Sequence, residues 1–540
     1  MSKILIKNGL LFDGLGSEPF PGSVLIDGDK IVGIGTDIET DADQIIPADG
    51  MAVTPGFIDI HRHCDILPFY SDSYSACMLA QGITTTVVGN CGISMTPVSH
   101  NPVTAREMRS FNEPVLGPFH AEHISTFPQY LAAMDSAQLN LNFVSLIGTG
   151  SIKIAVKGFS NSPFTDDEMA VASGLIRDAL EEGAAGVSVG IMYIPECYGS
   201  TEEYIRLLKP VGTYGGIVTA HIRDEGDTLT SSIKEMIEIG KQVNCAIEIS
   251  HFKSIYKNNW HKEIFKAIEL IEQARTDGLD ITCDFYPYDC GSTALTTLLP
   301  PDFVAGDMSG AIESLGTPEG VDKYRRLGAA YYGSWERFEE ILGWKRIIIS
   351  SVVKDHNRKY IGKSVAAAAT EYGFQDGCAL AAYLIHDEEG KTAIINQTMC
   401  QEDIDAVAKL PYSMVISDSI YAQTDTPHPR MYGAFPKIIR EYVYERGLFT
   451  LPEAIYKMTG APAQRMRIDR RGRLKEGYYA DINIFRPEEF HDNATYDAPA
   501  KLASGLSYSI VNGNIAWKSN QVQPGFFGRN LRINNKPKFI

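Results

Sequence analysis

The sequence predicts an α/β protein: a (β/α)8 TIM-like barrel, a small composite β-sandwich built from both termini, and an insertion over the barrel mouth. Three observations predict it. The middle of the chain alternates short apolar runs with helix-length amphipathic stretches, the mark of βα units on a parallel sheet. The two ends carry short apolar runs separated by turn dipeptides instead. Side chains suited to binding a metal recur at the C-terminal ends of the middle runs, where barrel sites are built.

At the N-terminal end, Ile4-Leu5-Ile6, Val24-Leu25-Ile26 and Ile31-Val32-Gly33-Ile34 read as strands, with Asn8-Gly9 and Asp27-Gly28 as turns between them. The C-terminal end repeats the style in Asp481-Ile482-Asn483-Ile484, Tyr508-Ser509-Ile510-Val511 and Asn512-Gly513. One sandwich of residues 1–55 and 475–540 is expected; the alternative, two separate extensions, would leave each too small to bury much. Between them, residues 56–474 form the barrel. Its eight candidate strands are Gly56 to Asp59, Thr84 to Val88, Phe143 to Ile147, Gly186 to Val189, Gly216 to His221, Ala246 to His251, Leu279 to Asp284 and Ser413 to Asp418. After Asp284 the reading is ambiguous, because Arg346 to Ser350 and Thr392 to Gln397 also look like strands. Residues 301–344 hold Gly, Pro and aromatics without a strand pattern, and read as an insertion that could act as a lid.

Composition narrows the functional classes. A chain of 540 residues exceeds the size of one small core, and 44% hydrophobic with 21% charged residues describes an ordinary globular protein. The net charge of -18 is spread along the chain; it favours solubility and disfavours nucleic acid as a partner. No run has the apolar length of a membrane span, and the N-terminus does not read as a signal peptide. Nine dispersed cysteines without a CxxC pair read as reduced thiols, so a cytoplasmic location is expected.

The chemistry lies at the strand ends. In Gly56-Phe57-Ile58-Asp59-Ile60-His61-Arg62-His63, two histidines two apart follow a strand and face one way, so both can meet one ion. His221, His251 and Asp418 each end an apolar run, and Cys91 follows Thr84 to Val88 after a short turn. Taken singly, a histidine there is more often an ordinary hydrogen-bonded side chain, and a cysteine a small buried hydrophobe. Together, four of the twelve histidines with a cysteine and an aspartate at six mouth positions exceed what packing requires. Zinc suits thiolate and imidazole donors. Asp418 is a carboxylate placed to serve as a general acid-base group beside a bound metal; the competing role is to orient a ligand histidine. Gly148-Thr149-Gly150 lacks the Lys-Ser pair of a phosphate loop.

GFIDIHRHCD, QGITTTVVGNCG, AHIRDEG, ISHFKS, DFYPY, the SDS at Asp418, PHPRMYGAFP, ADINIF and GRNLR resemble the signature set of the D-aminoacylase family within the amidohydrolase superfamily. The likeness runs from about residue 3 to about residue 533, and it is more specific for the superfamily than for the substrate. The resemblance implies zinc-dependent hydrolysis of N-acyl-D-amino acids, with a small-molecule substrate and neither nucleic acid nor membrane. It implies one tight zinc on Cys91, His221 and His251, and a second, weaker or vacant site at His61 and His63 that shares Cys91. A thiolate there would replace the carboxylated lysine of hydantoinase relatives, and Gly186-Val187-Ser188-Val189-Gly190 offers no lysine. Lys153 stands where the family shows an arginine, and a hydrogen-bonding or charge-pairing role is expected for it. Arg430 is the leading partner for a substrate carboxylate, since guanidinium grips carboxylate through two hydrogen bonds. Lys253, Tyr193, Tyr286 and Ser292 complete the candidate substrate site. Arg223, Asp224 and Glu225 are expected to form a structural salt-bridge cluster behind His221.

Two rivals stand beside this reading. A cyclic-amide hydrolase of hydantoinase or dihydroorotase type would use the same fold, but Cys91 and the HPR segment speak against it. An inactive scaffold protein should have lost some of these ligands, and all are present.

Overall fold

The computed structural model describes residues 3–36, 38, 40–71, 74–118, 123–330, 343–421 and 426–537. Eight parallel strands form the barrel: Phe57–Asp59, Ile83–Val88, Asn142–Ser145 continued by Ile147–Gly148, Val187–Gly190, Ile217–His221, Ala246–Ile249, Ile281–Phe285 and Ser413–Val415. The ring closes between the eighth and first strands. There Arg62 and Ser419 form a parallel bridge, Asp418 N–H donates to His61 O, and His63 N–H donates to Ser419 O. All eight runs expected from the sequence are these strands. Nearly all their residues are buried, on both faces of the sheet; Ile83–Val88 is β-branched throughout, and all six of its residues are buried.

Helices cover the barrel, and their ends are written locally. Asp166–Glu182 starts at a capping box of Thr165 and Glu168 and stops at Gly183, whose φ of 109° is left-handed. Leu229–Val243 buries Ile233, Met236 and Ile239 and stops at Asn244, also left-handed.

The two ambiguous runs are strands, but not of the barrel. Ile347–Ser351 and Ala393–Gln397 pair antiparallel, and Cys290–Ala294 joins them in a three-stranded sheet. Barrel strand seven instead pairs directly with strand eight, Cys283 against Ser413. Between these strands the helices Pro301–Val304, Met308–Ser314 and Pro318–Ala330 occupy the expected insertion; its residues 331–342 lie outside the described residues.

Both chain ends enter one nine-stranded sheet, not two extensions. The junction is Ala52–Pro55 antiparallel to Ile482–Phe485, and Ile4, Ile6, Val24, Ile26, Ile482, Ile484 and Ile510 share a core of their own. One turn expectation is corrected. Asn8-Gly9 lies inside the strand Lys3–Leu11 as a bulge, where Asn8 has φ 61° and a Cβ on Gly9 would stand 2.4 Å from Val53 Cγ2. Asp27-Gly28 and Asn512-Gly513 do turn between paired strands. No helix among the described residues is long and apolar enough to cross a membrane.

Candidate active site

Every residue singled out for metal binding lies at the C-terminal mouth, and each is buried. Cys91 sits in a turn after strand two that needs left-handed backbone at Gly89, Cys91 and Gly92, with φ of 82°, 55° and 72°. A Cβ on Gly89 would meet Leu146 O at 2.4 Å, so the turn packs hard against strand three. His251 and Asp418 also take left-handed φ, 37° and 48°, just past their strands. Such conformations in non-glycine residues are costly and cluster where side chains must be aimed.

Two overlapping donor triads result. His61, His63 and Cys91 form one, and Cys91, His221 and His251 the other, with the ligand atoms of each set within 4.8 Å of one another. His61 Nε2 is 3.1 Å from Cys91 Sγ, and His251 Nε2 is 3.5 Å from it. In the second triad the ring nitrogens facing away are held as metal-binding imidazoles need, whereas His61 Nδ1 and His63 Nδ1 have no hydrogen-bond partner. Tyr193 Oη lies 3.3 Å from His221 Nδ1, and Glu225 Oε1 lies 2.8 Å from His251 Nδ1. His221 Nε2 is buried without a hydrogen-bond partner.

The donor set fits a divalent cation of zinc type. Burial drives His221 and His251 well below the ordinary histidine range and His61 to about 4, so the imidazoles are neutral donors. Burial also lifts the Cys91 thiol well above its ordinary value; a cation within reach is what makes it a thiolate.

Asp418 stands beside both triads. Its Oδ1 is 3.5 Å from His61 Nε2 and from His63 Nε2, and its Oδ2 is 2.8 Å from Arg430 Nη1. Burial alone would raise its pKa, but Arg430 and then His61 hold the carboxyl well below the usual range. Two other buried carboxylates of the barrel, Glu248 and Asp65, lie elsewhere. Glu248 faces Arg465 and Thr282, and Asp65 does not line the cleft.

Arg430, Lys253, Tyr193, Tyr286 and Ser292 all line the cleft. Arg430 opens the helix Arg430–Lys437, and His428 Nδ1 accepts its backbone N–H at 3.0 Å. Its guanidinium lies 4.5 Å from the Tyr286 ring centroid, and Nη2 donates to Ser292 O at 3.4 Å; Nε has no hydrogen-bond partner. Lys253 Nζ meets Glu225 Oε1 at 2.6 Å. Burial opposes its charge, yet Glu225 carries the ammonium above the ordinary lysine value.

Sequence reasoning missed two carboxylates. Glu225 does not cluster with its neighbours: Arg223 turns to Glu235, and Asp224 caps Gly226 and Thr228. Asp284, inside strand seven, accepts the backbone N–H of His251 and lies 3.7 Å from His61 Nδ1. An acidic residue near a strand end was the signal. Lys153 pairs with Glu203 at 2.9 Å and does not line the cleft.

Comparison with known proteins places this geometry. The profile of the amidohydrolase family matches residues 364–516. A D-aminoacylase of Alcaligenes xylosoxydans xylosoxydans is 28% identical over 98% of this chain and 97% of its own. An N-acyl-D-aspartate deacylase of the same organism is 29% identical over 95% of this chain and 91% of its own. The crystal structure of an N-acyl-D-glutamate deacylase from Bordetella bronchiseptica, complexed with zinc and a phosphonate inhibitor, superposes with a TM-score of 0.82 at 26% identity, covering 98% of this chain and 99% of that one. Over nearly its whole length the chain is thus similar in sequence and fold to N-acyl-D-amino-acid deacylases, and residues 364–516 match the amidohydrolase family.

Proposed function

We propose that this chain hydrolyses the amide bond of N-acyl-D-amino acids, with zinc held tightly by Cys91, His221 and His251 and with Asp418 as general base and acid. The observation that carries the reading is the Cys91-His221-His251 triad set in one mouth with the buried Asp418–Arg430 pair. The names of the relatives supply the substrate class. His61 and His63, sharing Cys91, would hold a second, weaker ion. Zinc bound at the triad supplies Lewis acidity, which polarises a carbonyl and makes water a nucleophile near neutral pH.

Asp418 takes the proton of the attacking water and returns it to the amide nitrogen as the C–N bond breaks, giving a carboxylic acid and a free amine. Arg430 on the other carboxylate oxygen keeps Asp418 ionised and ready to accept. Tyr193 and Glu225 turn His221 and His251 toward the cleft. The substrate carboxylate is received by Lys253, the Tyr286 and Ser292 hydroxyls and the unpartnered Nε of Arg430. Carbonyl, carboxylate and side chain then make three fixed points, enough to select one hand at the α-carbon.

The side chain accepted is neutral. The α-carboxylate takes Lys253 and Arg430, and no third lysine or arginine lines the cleft among the described residues to receive a second one. Ile93, Val115, Met192, Ile255 and Ile420 line it instead. We also take the helices between Pro301 and Ala330 as a cover over this mouth, beside a barrel of 56–474 and a composite sandwich of both chain ends, from which Asn530–Leu531 returns to pair with the third barrel strand. Nine free thiols support a reducing, cytoplasmic setting.

The test is a panel of N-acetyl amino acids on zinc-loaded protein, with released amine as the readout. D-leucine and D-methionine derivatives should be hydrolysed and their L forms spared. D-aspartate and D-glutamate derivatives should fall by roughly tenfold or more, because a second carboxylate would be buried without a cation. Hydrolysis of hydantoins alone would overturn the reading.

A further inference from the structure

Away from the catalytic mouth, His261, Cys400 and Asp403 bring an imidazole, a thiol and a carboxylate together, with one ligand atom of each within 4.8 Å of the others. None of the three serves the proposed reaction. His261 lies in the loop between barrel strand six and the helix Glu263–Thr276. Cys400 and Asp403 open the helix Gln401–Ala408, which follows the inserted strand Ala393–Gln397. Three residues apart in the first helical turn, Cys400 and Asp403 face the same side.

Several features aim these groups at one point. His261 takes a left-handed φ of 61°. Its backbone N–H donates to both oxygens of Asp403, at 3.0 and 3.3 Å, and its Nδ1 lies 3.7 Å from Asp403 Oδ1. Cys400 occupies the capping position of its helix, and its thiol faces Asp403. Cys400 and Asp403 are buried, whereas the His261 side chain is 57% exposed, so an ion reaches the cluster from solvent and keeps a position for water.

We propose that His261, Cys400 and Asp403 form a structural binding site for a divalent cation of the zinc class, separate from the catalytic triads. The donor types are those that zinc takes, and thiolate plus carboxylate neutralise a divalent charge beside a neutral imidazole. Binding releases the Cys400 thiol proton to solvent. The ion fastens two stretches that wall the catalytic mouth. Tyr256 N–H and Trp260 Nε1 both donate to Thr398 O at 3.0 Å, and Ile255 and Thr398 line the cleft. A clip at 261, 400 and 403 therefore tightens an existing seam between the loop after strand six and the inserted sheet.

The experiment titrates Cd2+ into the zinc-loaded protein, following thiolate-to-metal charge transfer, metal content and the thermal midpoint. Wild type, Cys400→Ser, His261→Ala and Cys91→Ala are compared. Wild type should take up one equivalent more than Cys400→Ser, with a thiolate band and a raised thermal midpoint that Cys400→Ser lacks. His261→Ala, at an exposed position, should bind that equivalent at least tenfold more weakly, and it serves if Cys400→Ser does not fold. The band at this site should persist in Cys91→Ala, which separates it from the catalytic cluster. Equal uptake and equal bands in wild type, Cys400→Ser and His261→Ala would overturn the proposal. So would loss of all thiolate binding in Cys91→Ala.

Discussion

Replacing Arg430 with alanine removes a guanidinium that is only 1% exposed and bears two loads at once. Toward Asp418 it is a counter-ion at 2.8 Å; under the proposed function it also meets the substrate carboxylate, through Nε, which is buried without a hydrogen-bond partner in the protein. Breaking one side of a buried charged pair costs about 3–5 kcal/mol, so hydrolysis of every substrate should slow through Asp418. A free acid loses a second interaction, the charge-assisted bond to its own carboxylate, worth about 2 kcal/mol or more. The corresponding amino-acid amide never made that bond. The ratio of kcat/KM for N-acetyl-D-leucine to that for N-acetyl-D-leucinamide should therefore fall by roughly thirtyfold or more in Arg430→Ala. Arg430→Lys restores the charge without the planar fork, and should rescue the amide substrate further than the acid. Lys253→Ala is a poor control, because Lys253 shares Glu225 with His251 and its loss disturbs a metal-binding imidazole. An acid-to-amide ratio unchanged in Arg430→Ala would refute the assignment of Arg430 to the substrate carboxylate.

The metal assignment is checked by metal analysis after dialysis: Cys91→Ala, His221→Ala and His251→Ala should each lose the tight zinc, while His61→Ala keeps most of it and loses activity. Retention of zinc and rate by Cys91→Ala would remove the thiolate from the site. Asp418→Asn should keep its fold and most of its metal but turn over about a hundredfold more slowly or worse, as loss of a general acid-base group costs; steady-state kinetics with the metal content matched decide it. Lys457, buried at the start of barrel strand eight where it donates to Leu410 O and Ser413 O, has its pKa lowered by burial from 10.5 to about 8. Between those values the unfolded chain binds more protons than the folded one. This group's share of stability should thus rise with pH from 8 to 10.5, by at most about 3 kcal/mol, and stay flat below 8. Urea unfolding of wild type and Lys457→Met at pH 8, 9 and 10 measures the difference, and parallel pH slopes would exclude the effect.

The barrel was legible because its strands are buried on both faces, and runs such as Ile83–Val88 show that directly as unbroken β-branched sequence. The same signal misled after Asp284. Ile347–Ser351 and Ala393–Gln397 are as apolar as barrel strands, yet they pair with one another around Cys290–Ala294. What excludes them is the contact of Cys283 with Ser413 across the whole insertion, and periodicity carries no information about such long-range pairing. Asn8-Gly9 failed for a related reason. Its dipeptide chemistry states that left-handed backbone is needed, but only the packing of Val53 against Gly9 shows that a bulge, not a turn, meets the need.

At the site, position was legible and pairing was not. Each candidate ligand could be found because a barrel brings strand ends to one mouth whatever their separation in sequence, so His61, Cys91, His221, His251 and Asp418 needed only to be recognised as terminal. Charge partners follow no such rule. Arg430 lies beyond the eighth strand at the head of its own helix, and nothing local foretells that it faces Asp418 instead of solvent. Glu225 looks like one more charge in an Arg-Asp-Glu run, yet it alone of the three reaches His251 and Lys253. These unseen pairings govern the chemistry. With its imidazole neighbours neutral, Asp418 draws its principal positive charge from Arg430, so under the proposed function its ionisation depends on the residue assigned to the substrate carboxylate. Under that proposal base strength and substrate recognition are joined in one guanidinium, and a substrate carboxylate that engages Arg430 would share the charge that holds Asp418 ionised.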